Sequence, residues 1–323
     1  MKMVSIIIVN YRTAPLALEC LSSLEKDSWT ANHCHSYILD NASGDGSSAI
    51  ITAELAGRGR DSWMTFMKME KNRGFAAGNN HVLKELQRLP EADSPPFILL
   101  LNPDTVVGPG AIEALVQFMQ LHPQAGIAGA SLVDAKERRQ SSAHHFPSPA
   151  GEFEGAVRLS VISRWLKQYR VSPPAHDHAH ACDWVSGAAL MIRRSVVEQI
   201  GLLDEGYFLY FEEVDWCLRA KRAGWEIWSV PQAEVLHLEG ASTGMGKPQA
   251  RRSRHWYDSR RRYFKKHLGK MGLFTADLFW SFGWSIHRLR QLFSFGTRKH
   301  NDPKWLAWDL LSGDVRAFWR RLE

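Results

Sequence analysis

VSIIIVNYRTAP, residues 4–15, passes within one short stretch from strand to helix, and that transition governs how the first half of the chain is read. Residues 4–9 are rich in β-branched side chains with little polar alternation, as expected of a strand buried on both faces. Thr13 and Pro15 then open a helix that runs to about Lys26. The alternation repeats downstream. Strands are expected at 37–39 (ending at Asp40), 63–69, 97–101 and 125–133, with helices at 47–56, 76–89 and 109–121 between them. This order predicts an α/β fold: a Rossmann-like, mostly parallel central sheet with helices on both faces. Ligands on such sheets bind beyond the carboxyl ends of the strands, which singles out the loops beginning at Asn10, Asp40, Lys71 and Asn102.

Residues 134–182 interrupt the pattern with Pro147, Pro149, Pro173 and Pro174 among many polar residues, and read as an irregular insertion. Regular structure returns at 183–193, with a helix at 211–223 and strands at 225–230 and 234–238. The 45% hydrophobic and 11% aromatic content of the 323 residues fits a packed core rather than a disordered chain. Cys20, Cys34, Cys182 and Cys217 show no CxxC spacing and read as free thiols of a reducing compartment. The first apolar run is followed directly by Asn10, Tyr11 and Arg12, which suits a buried strand better than a signal peptide.

Four loops carry candidate chemistry. ILDNASGDGS (38–47) ends a strand with Asp40, which either accepts a hydrogen bond from a pyrimidine base or forms an Asx turn. KNRGFAAGNN (71–80) offers two glycines, a helix N-terminus and Arg73 to an anion, without a GxGxxG or P-loop pattern. LLLNPDT (99–105) projects the oxygens of Asn102 and Asp104 from a strand end, where they can hold Mg²⁺ or Mn²⁺; the other reading makes Asp104 a helix N-cap. His237 ends the strand pattern EVLHL and suits such a cation as a further ligand. In FLYFEEVDWCLRAKRAGW (208–225), Glu212, Glu213 and Asp215 crowd one helix start behind an aromatic run. The helix dipole accounts for one or two acids there, whereas an apolar setting would raise a carboxylate into the range of a general base.

With these loops in place the sequence resembles glycosyltransferase family 2, the inverting enzymes of GT-A fold, and within it the rhamnosyltransferase-like branch that builds cell-surface polysaccharides. The resemblance rests on VSIIIVNYRT, ILDNASGDGS, NRGFAAGNN, LLLNPDTVV, WVSGAALMIRR, FLYFEEVDWCLRAKRAGW and HLEGAST, and covers roughly residues 3–245. It implies a GT-A domain over 1–245 and a C-terminal basic, aromatic helical extension over 246–323. It implies nucleotide contacts from Val9, Tyr11, Asp40, Arg73, Gly74 and Asn79. Asn102, Asp104 and His237 would hold Mg²⁺ or Mn²⁺, with Asn102 departing from the first acid of the usual DXD pair. Trp184, Gly187, Glu212 and Asp215 would line the acceptor subsite, and Asp215 is spaced to pair with Arg219. Glu213 would be the catalytic base. The implied reaction is transfer of a sugar, L-rhamnose from dTDP-L-rhamnose, from a nucleotide-diphosphate donor to a glycan or lipid-linked acceptor. Galactofuranosyl or glucosyl transfer by the same mechanism is the alternative donor reading. A nucleotidyltransferase would need a triphosphate-gripping basic motif near the N-terminus, and residues 1–30 contain none. A membrane-bound scaffold with a degenerate site is the non-enzymatic alternative.

The net charge of +6 conceals an asymmetry, because residues 251–323 carry 17 Lys and Arg against 6 Asp and Glu, while residues 1–250 carry 23 against 28. RRSRHWYDSRRRYFKKHLGK (251–270) interleaves aromatics with its charge, and an apolar stretch too short to span a bilayer follows at 273–286. That pattern suits the anionic inner face of the cell membrane, a peripheral cytoplasmic location; the alternative is a helical subdomain with a solvated basic face. No RRM, KH or helix-turn-helix pattern supports nucleic acid. HDHAHAC (176–182) reads as a solvated loop or a zinc site.

Overall fold

The computed structural model describes residues 2–57, 63–238, 251–293 and 302–318. The expected alternation is present as β1 (Val4–Asn10), α1 (Ala14–Lys26), α2 (Ser28–His33), β2 (Cys34–Asp40), α3 (Ser47–Gly57), β3 (Met64–Lys68), α4 (Phe75–Leu86), β4 (Phe97–Leu101), β5 (Thr105–Val107), α5 (Ala111–Leu121) and β6 (Ala125–Val133). Among the described residues one sheet of nine strands runs in the order β3-β2-β1-β4-β10-β6-β11-β5, where β10 is Ala189–Arg193 and β11 is Glu226–His237. The half from β3 to β4 is parallel, whereas β10 lies antiparallel between β4 and β6. The short β8 (His180–Cys182) adds to the edge of β11, and the two expected strands at its ends are one strand with a register shift between Val230 and Glu234.

The unbroken apolar runs are explained by burial on two faces. Ile6 and Ile8 of β1, with Leu99 and Leu101 of β4, enter one core cluster under α1 and α5. Their neighbours Ile7, Val9, Ile98 and Leu100 enter the opposite cluster with α4, α8 (Arg194–Ile200) and α9 (Glu212–Arg222). A side-chain period of two thus divides each strand between two apolar layers, each fully buried side chain contributing about 1.5–3 kcal/mol.

The insertion at 134–182 is not irregular, and here the expectation is corrected. It contains β7 (Ala143–His144), α6 (Pro149–Val157) and α7 (Ser160–Trp165). Pro149 starts α6 rather than breaking structure, because proline fits the first helical turn and the Ser148 hydroxyl caps it by accepting from Gly151 N. β7 pairs with β9 (Trp184–Val185). The helix α6 packs along α10 (Arg254–Phe293), which kinks at Gly269, and α11 (Leu306–Phe318) closes the cluster of Ala156, Tyr257, Trp280 and Leu310. The expected boundary at 245/246 and residues 239–243 of the HLEGAST motif lie outside the described residues.

The basic run at the start of α10 is mostly turned inward. Arg260, 1% exposed, meets Glu152 of α6, Asp277 of α10 and Asp314 of α11. Arg262 and Lys266 engage Asp204, and Arg251 engages Asp309. Arg260 thus ties three helices together in the interior, Arg262 and Lys266 tie α10 to the loop carrying Asp204, and Arg251 reaches α11 from the surface. Cys20, Cys34, Cys182 and Cys217 are free thiols.

Candidate functional site

The sheet brings the loop beginning at Asn102 together with the end of β11. His237 pairs with Thr105 across β11 and β5, and Leu238 N donates to Asp104 O at 2.9 Å. As a result the Nε2 of His237 lies 3.5 Å from both Asp104 Oδ1 and Asn102 Nδ2. A half-turn of the Asn102 amide would present its oxygen to the same point. The N-cap reading of Asp104 is excluded, because a strand follows it and the cap of α5 is Gly110. Thr105 Oγ1 donates to Asn102 O at 2.7 Å and fixes the turn.

The same turn leads to the acids of α9. Asn102 N donates to Ala188 O at 2.9 Å, joining the strand-end loop to the residue after Gly187. A Cβ placed on Gly187 would lie 3.5 Å from Glu213 Cβ, so the Gly187–Ala188 turn touches Glu213 through one residue and Asn102 through the next. This contact is the centre of the site. Burial raises the Glu213 carboxyl from 4.5 to about 7, although backbone N–H groups, including that of Gly187, pull the other way. Glu212, 4% exposed, is also pushed up, by burial and by the charge of Glu213. Among the described residues Glu212 Oε2, Glu213 Oε2 and His237 Nδ1 are buried polar atoms without a hydrogen-bond partner, and a ligand would supply one.

Backbone strain supports the same location. Tyr210 and Phe211 both take positive φ, 73° and 68°, immediately before Glu212. Two successive non-glycine residues in the left-handed region cost of order 1–3 kcal/mol each and persist only where tertiary contacts enforce them. Phe211 is held by Trp256 and Tyr263 of α10, at ring distances of 5.9 and 5.7 Å.

Asp215 does not line an acceptor subsite. It is fully buried and takes Arg219 Nε at 2.8 Å, Lys266 Nζ at 2.6 Å and His267 Nε2 at 2.7 Å. Burial alone would raise its carboxyl, but the hydrogen bonds from His267 and Lys266 and the charge of Arg219 hold it far below the usual range. The Arg219 partner was legible from the i,i+4 spacing. Lys266 and His267 come from α10, and no local pattern announced them. Trp184 stacks on His144 at 4.1 Å and donates Nε1 to His145 O at 2.9 Å. Burial pushes His144 down to about 4, so it backs Trp184 as a neutral ring.

On the nucleotide side the outcome is mixed. Tyr11 follows the end of β1, with the Arg12 guanidinium 5.1 Å from its ring. Asp40 is held by Asn10 Nδ2 at 2.8 Å and by the hydroxyl and N–H of Ser43, so the Asx-type turn is real and the carboxylate is fixed at the strand edge. The sequence marked the loop at Asn10, but not that Asn10 and Ser43 hold Asp40. Gly74, at φ 91°, allows Phe75 N to reach Phe208 O at 2.7 Å, whereas a Cβ there would lie 2.2 Å from that oxygen. The glycine loop is thereby joined to the segment preceding Glu212. Arg73 is turned to Glu205 at 3.1 Å on the surface. Two expected contacts are corrected: Val9 is a core side chain packed against Gly78, and Asn79 is fully buried with its amide donated to Phe75 O. Among the described residues no group of three His, Cys, Asp or Glu side chains could hold a metal ion. The set at His237 depends on the Asn102 amide as its third donor.

A mostly parallel sheet flanked by helices, with loops 10–13, 40–43, 72–75 and 102–104 at the carboxyl ends of its strands, is the architecture of the GT-A glycosyltransferases. The fold matches mannosyltransferase PcManGT from Pyrobaculum calidifontis, solved in complex with GDP-Man and Mn²⁺, with a TM-score of 0.56 and 13% sequence identity, over 98% of this chain and 81% of that one. A profile described as "Glycosyltransferase like family 2" matches residues 2–259, and the chain belongs to that family. It is 34% identical over 179 residues to the N-acetylglucosaminyl-diphospho-decaprenol L-rhamnosyltransferase of Mycobacterium tuberculosis, over 54% of this chain and 58% of that protein. It is 30% identical over 170 residues to the low-salt glycan biosynthesis hexosyltransferase Agl10 of Haloferax volcanii, over 51% of this chain and 49% of that protein. The chain therefore spans about half the length of these relatives.

Proposed function

We propose that the protein is an inverting glycosyltransferase that moves L-rhamnose from dTDP-L-rhamnose to a hydroxyl of a lipid-linked or glycan acceptor. The observation that carries the reading is the Gly187–Ala188 turn, which touches Glu213 through Gly187 and is hydrogen-bonded through Ala188 to Asn102, the residue that meets His237 beside Asp104. A single displacement needs a base on the attacking side and charge neutralisation on the leaving side. Glu213 accepts the acceptor proton as the hydroxyl oxygen bonds to the anomeric carbon, and the nucleoside diphosphate leaves from the opposite face with the bonding electrons. Its carboxyl, raised to about 7, suits proton uptake near neutral pH. Glu212 stands beside it as the acceptor-side acid, and Trp184 packs against the cluster containing Tyr207 and, from the start of the same helix, Val214.

The donor set fits Mg²⁺ or Mn²⁺: one carboxylate, one imidazole nitrogen and one amide oxygen can gather at a point and leave positions for diphosphate and water. When bound there, the cation would neutralise charge on the leaving diphosphate. The sugar and acceptor rest on the mycobacterial relative, whose name states an L-rhamnosyl transfer and a diphospho-decaprenol acceptor. The test is release of dTDP from dTDP-L-rhamnose with a GlcNAc-diphospholipid acceptor. Acceptor-dependent release that disappears in Glu213→Gln supports the proposal. Acceptor-dependent release only with another nucleotide sugar replaces the donor, and undiminished release by Glu213→Gln removes the proposed base.

A further inference from the structure

The second part of α10 is apolar on two opposite faces, and among the described residues one of them is largely uncovered. Leu273, Ala276, Trp280, Gly283 and His287 point inward and are buried, with Gly283 against Phe153 O and the Ala156 side chain of α6. On the other side Met271, Phe274, Leu278, Phe282, Leu289 and Leu292 are between 50% and 77% exposed. Their steps of three, four and seven residues place them on one stripe, about 30 Å long at the helical rise of 1.5 Å per residue. Phe153 of α6 stacks on Phe282 at 5.8 Å and widens it. An ordinary surface helix would carry mostly polar residues there, and an apolar face of this length, interrupted at Ser285, marks an interaction surface.

Charge identifies the occupant. The one carboxylate between 270 and 292, Asp277, is turned inward to Arg260 at 2.9 Å. The exposed charged residues beside the stripe are Lys270, Arg288 and Arg290, all basic. A two-fold pairing of this face with itself would bring those like charges together, whereas a bilayer with anionic headgroups satisfies both the stripe and its margins. Among the described residues no helix is long and apolar enough to cross a membrane. We propose that the segment following Gly269 lies in the headgroup layer of an anionic membrane, with Met271, Phe274, Leu278, Phe282, Leu289 and Leu292 inserted and Lys270 and Arg288 meeting lipid phosphates. The sequence pattern placed membrane contact on the basic run as well; the structure moves it past the kink, to the apolar face. This inference is independent of the sugar-transfer reading, because its readout is lipid binding.

The experiment is co-sedimentation of the full chain with phosphatidylcholine vesicles with and without phosphatidylglycerol. It compares wild type, Phe274→Ser/Leu278→Ser/Phe282→Ser, and Lys270→Gln/Arg288→Gln. Wild type is expected to pellet with the anionic vesicles. The triple variant should lose at least about tenfold in partitioning, the order expected when three large apolar side chains stop inserting. The charge variant should lose the dependence on phosphatidylglycerol. The substituted apolar side chains are at least half exposed, and an unchanged circular-dichroism melt confirms that folding is intact. A wild type that remains in the supernatant with both vesicles overturns the proposal. So does a wild-type dimer, seen by light scattering, that the triple variant dissociates without any vesicle binding. Equal pelleting with neutral and anionic vesicles overturns the anionic assignment.

Discussion

Replacing Glu213 with Gln should remove transfer and at the same time stabilise the fold at alkaline pH. The carboxyl rises from 4.5 to about 7 in the folded chain, chiefly because burial disfavours its charge. A raised acid binds more protons folded than unfolded, so stability falls as pH climbs from the unfolded value to the folded one, and the full cost is present above about pH 7. At 1.36 kcal/mol per pH unit the shift has a ceiling of about 3 kcal/mol. Glu213 is only partly buried, and water screens part of that cost, which leaves about 1–2 kcal/mol. Glutamine keeps the shape without the charge and also relieves Glu212 of a like-charged neighbour. Urea denaturation at pH 5 and pH 8 should show the two proteins closer at the lower pH, with the variant ahead at the higher one. Transfer by wild type should fall as pH drops below about 7, while the variant stays inactive throughout. A variant less stable than wild type at pH 8, or a gap that does not grow with pH, would show that Glu213 is not held against its own charge.

Asp104→Ala and His237→Ala should each abolish any Mn²⁺-dependent rise in melting temperature with dTDP, read by thermal shift, while a metal-independent shift from the base loop would persist. Gly74→Ala should cost on the order of 2–4 kcal/mol in denaturant, since φ is 91° and the new Cβ would meet Phe208 O; a neutral result would mean that the loop is not fixed against that segment. Asp215→Asn leaves Arg219, Lys266 and His267 without their shared carboxylate and should destabilise by about 3–5 kcal/mol. Because the Asp215 carboxyl is depressed in the folded state, its contribution is present above the unfolded carboxylate range and lost as pH falls below it; calorimetric melts of wild type and variant should therefore converge in acid.

The chain sequence by itself determined the sheet core, most of its helices and the loops in which the candidate site residues lie. Runs such as residues 4–9 and 97–101 are apolar at every step or nearly so because both faces of those strands are covered, and that is written locally. Asp40, Gly74, Asn102 and Asp104 were legible for a related reason: they lie in the loops that follow strands, and such loops collect at one edge of a parallel sheet, whereas Glu213 was singled out by the crowding of acids at the start of α9. The strand that pairs His237 with Thr105, and the turn that joins Asn102 to Glu213, are long-range contacts with no local signature. The same holds for Asp215, whose acceptor role fitted its neighbourhood in sequence until Lys266 and His267, some fifty residues away, closed around it. The prolines of 147–174 are ambiguous in sequence, because proline both breaks a helix and begins one. Charge composition was legible and its direction was not. Whether a basic side chain in 251–270 faces solvent or an internal carboxylate depends on how α10 packs against α6, α9 and α11, and only the tertiary structure decides it.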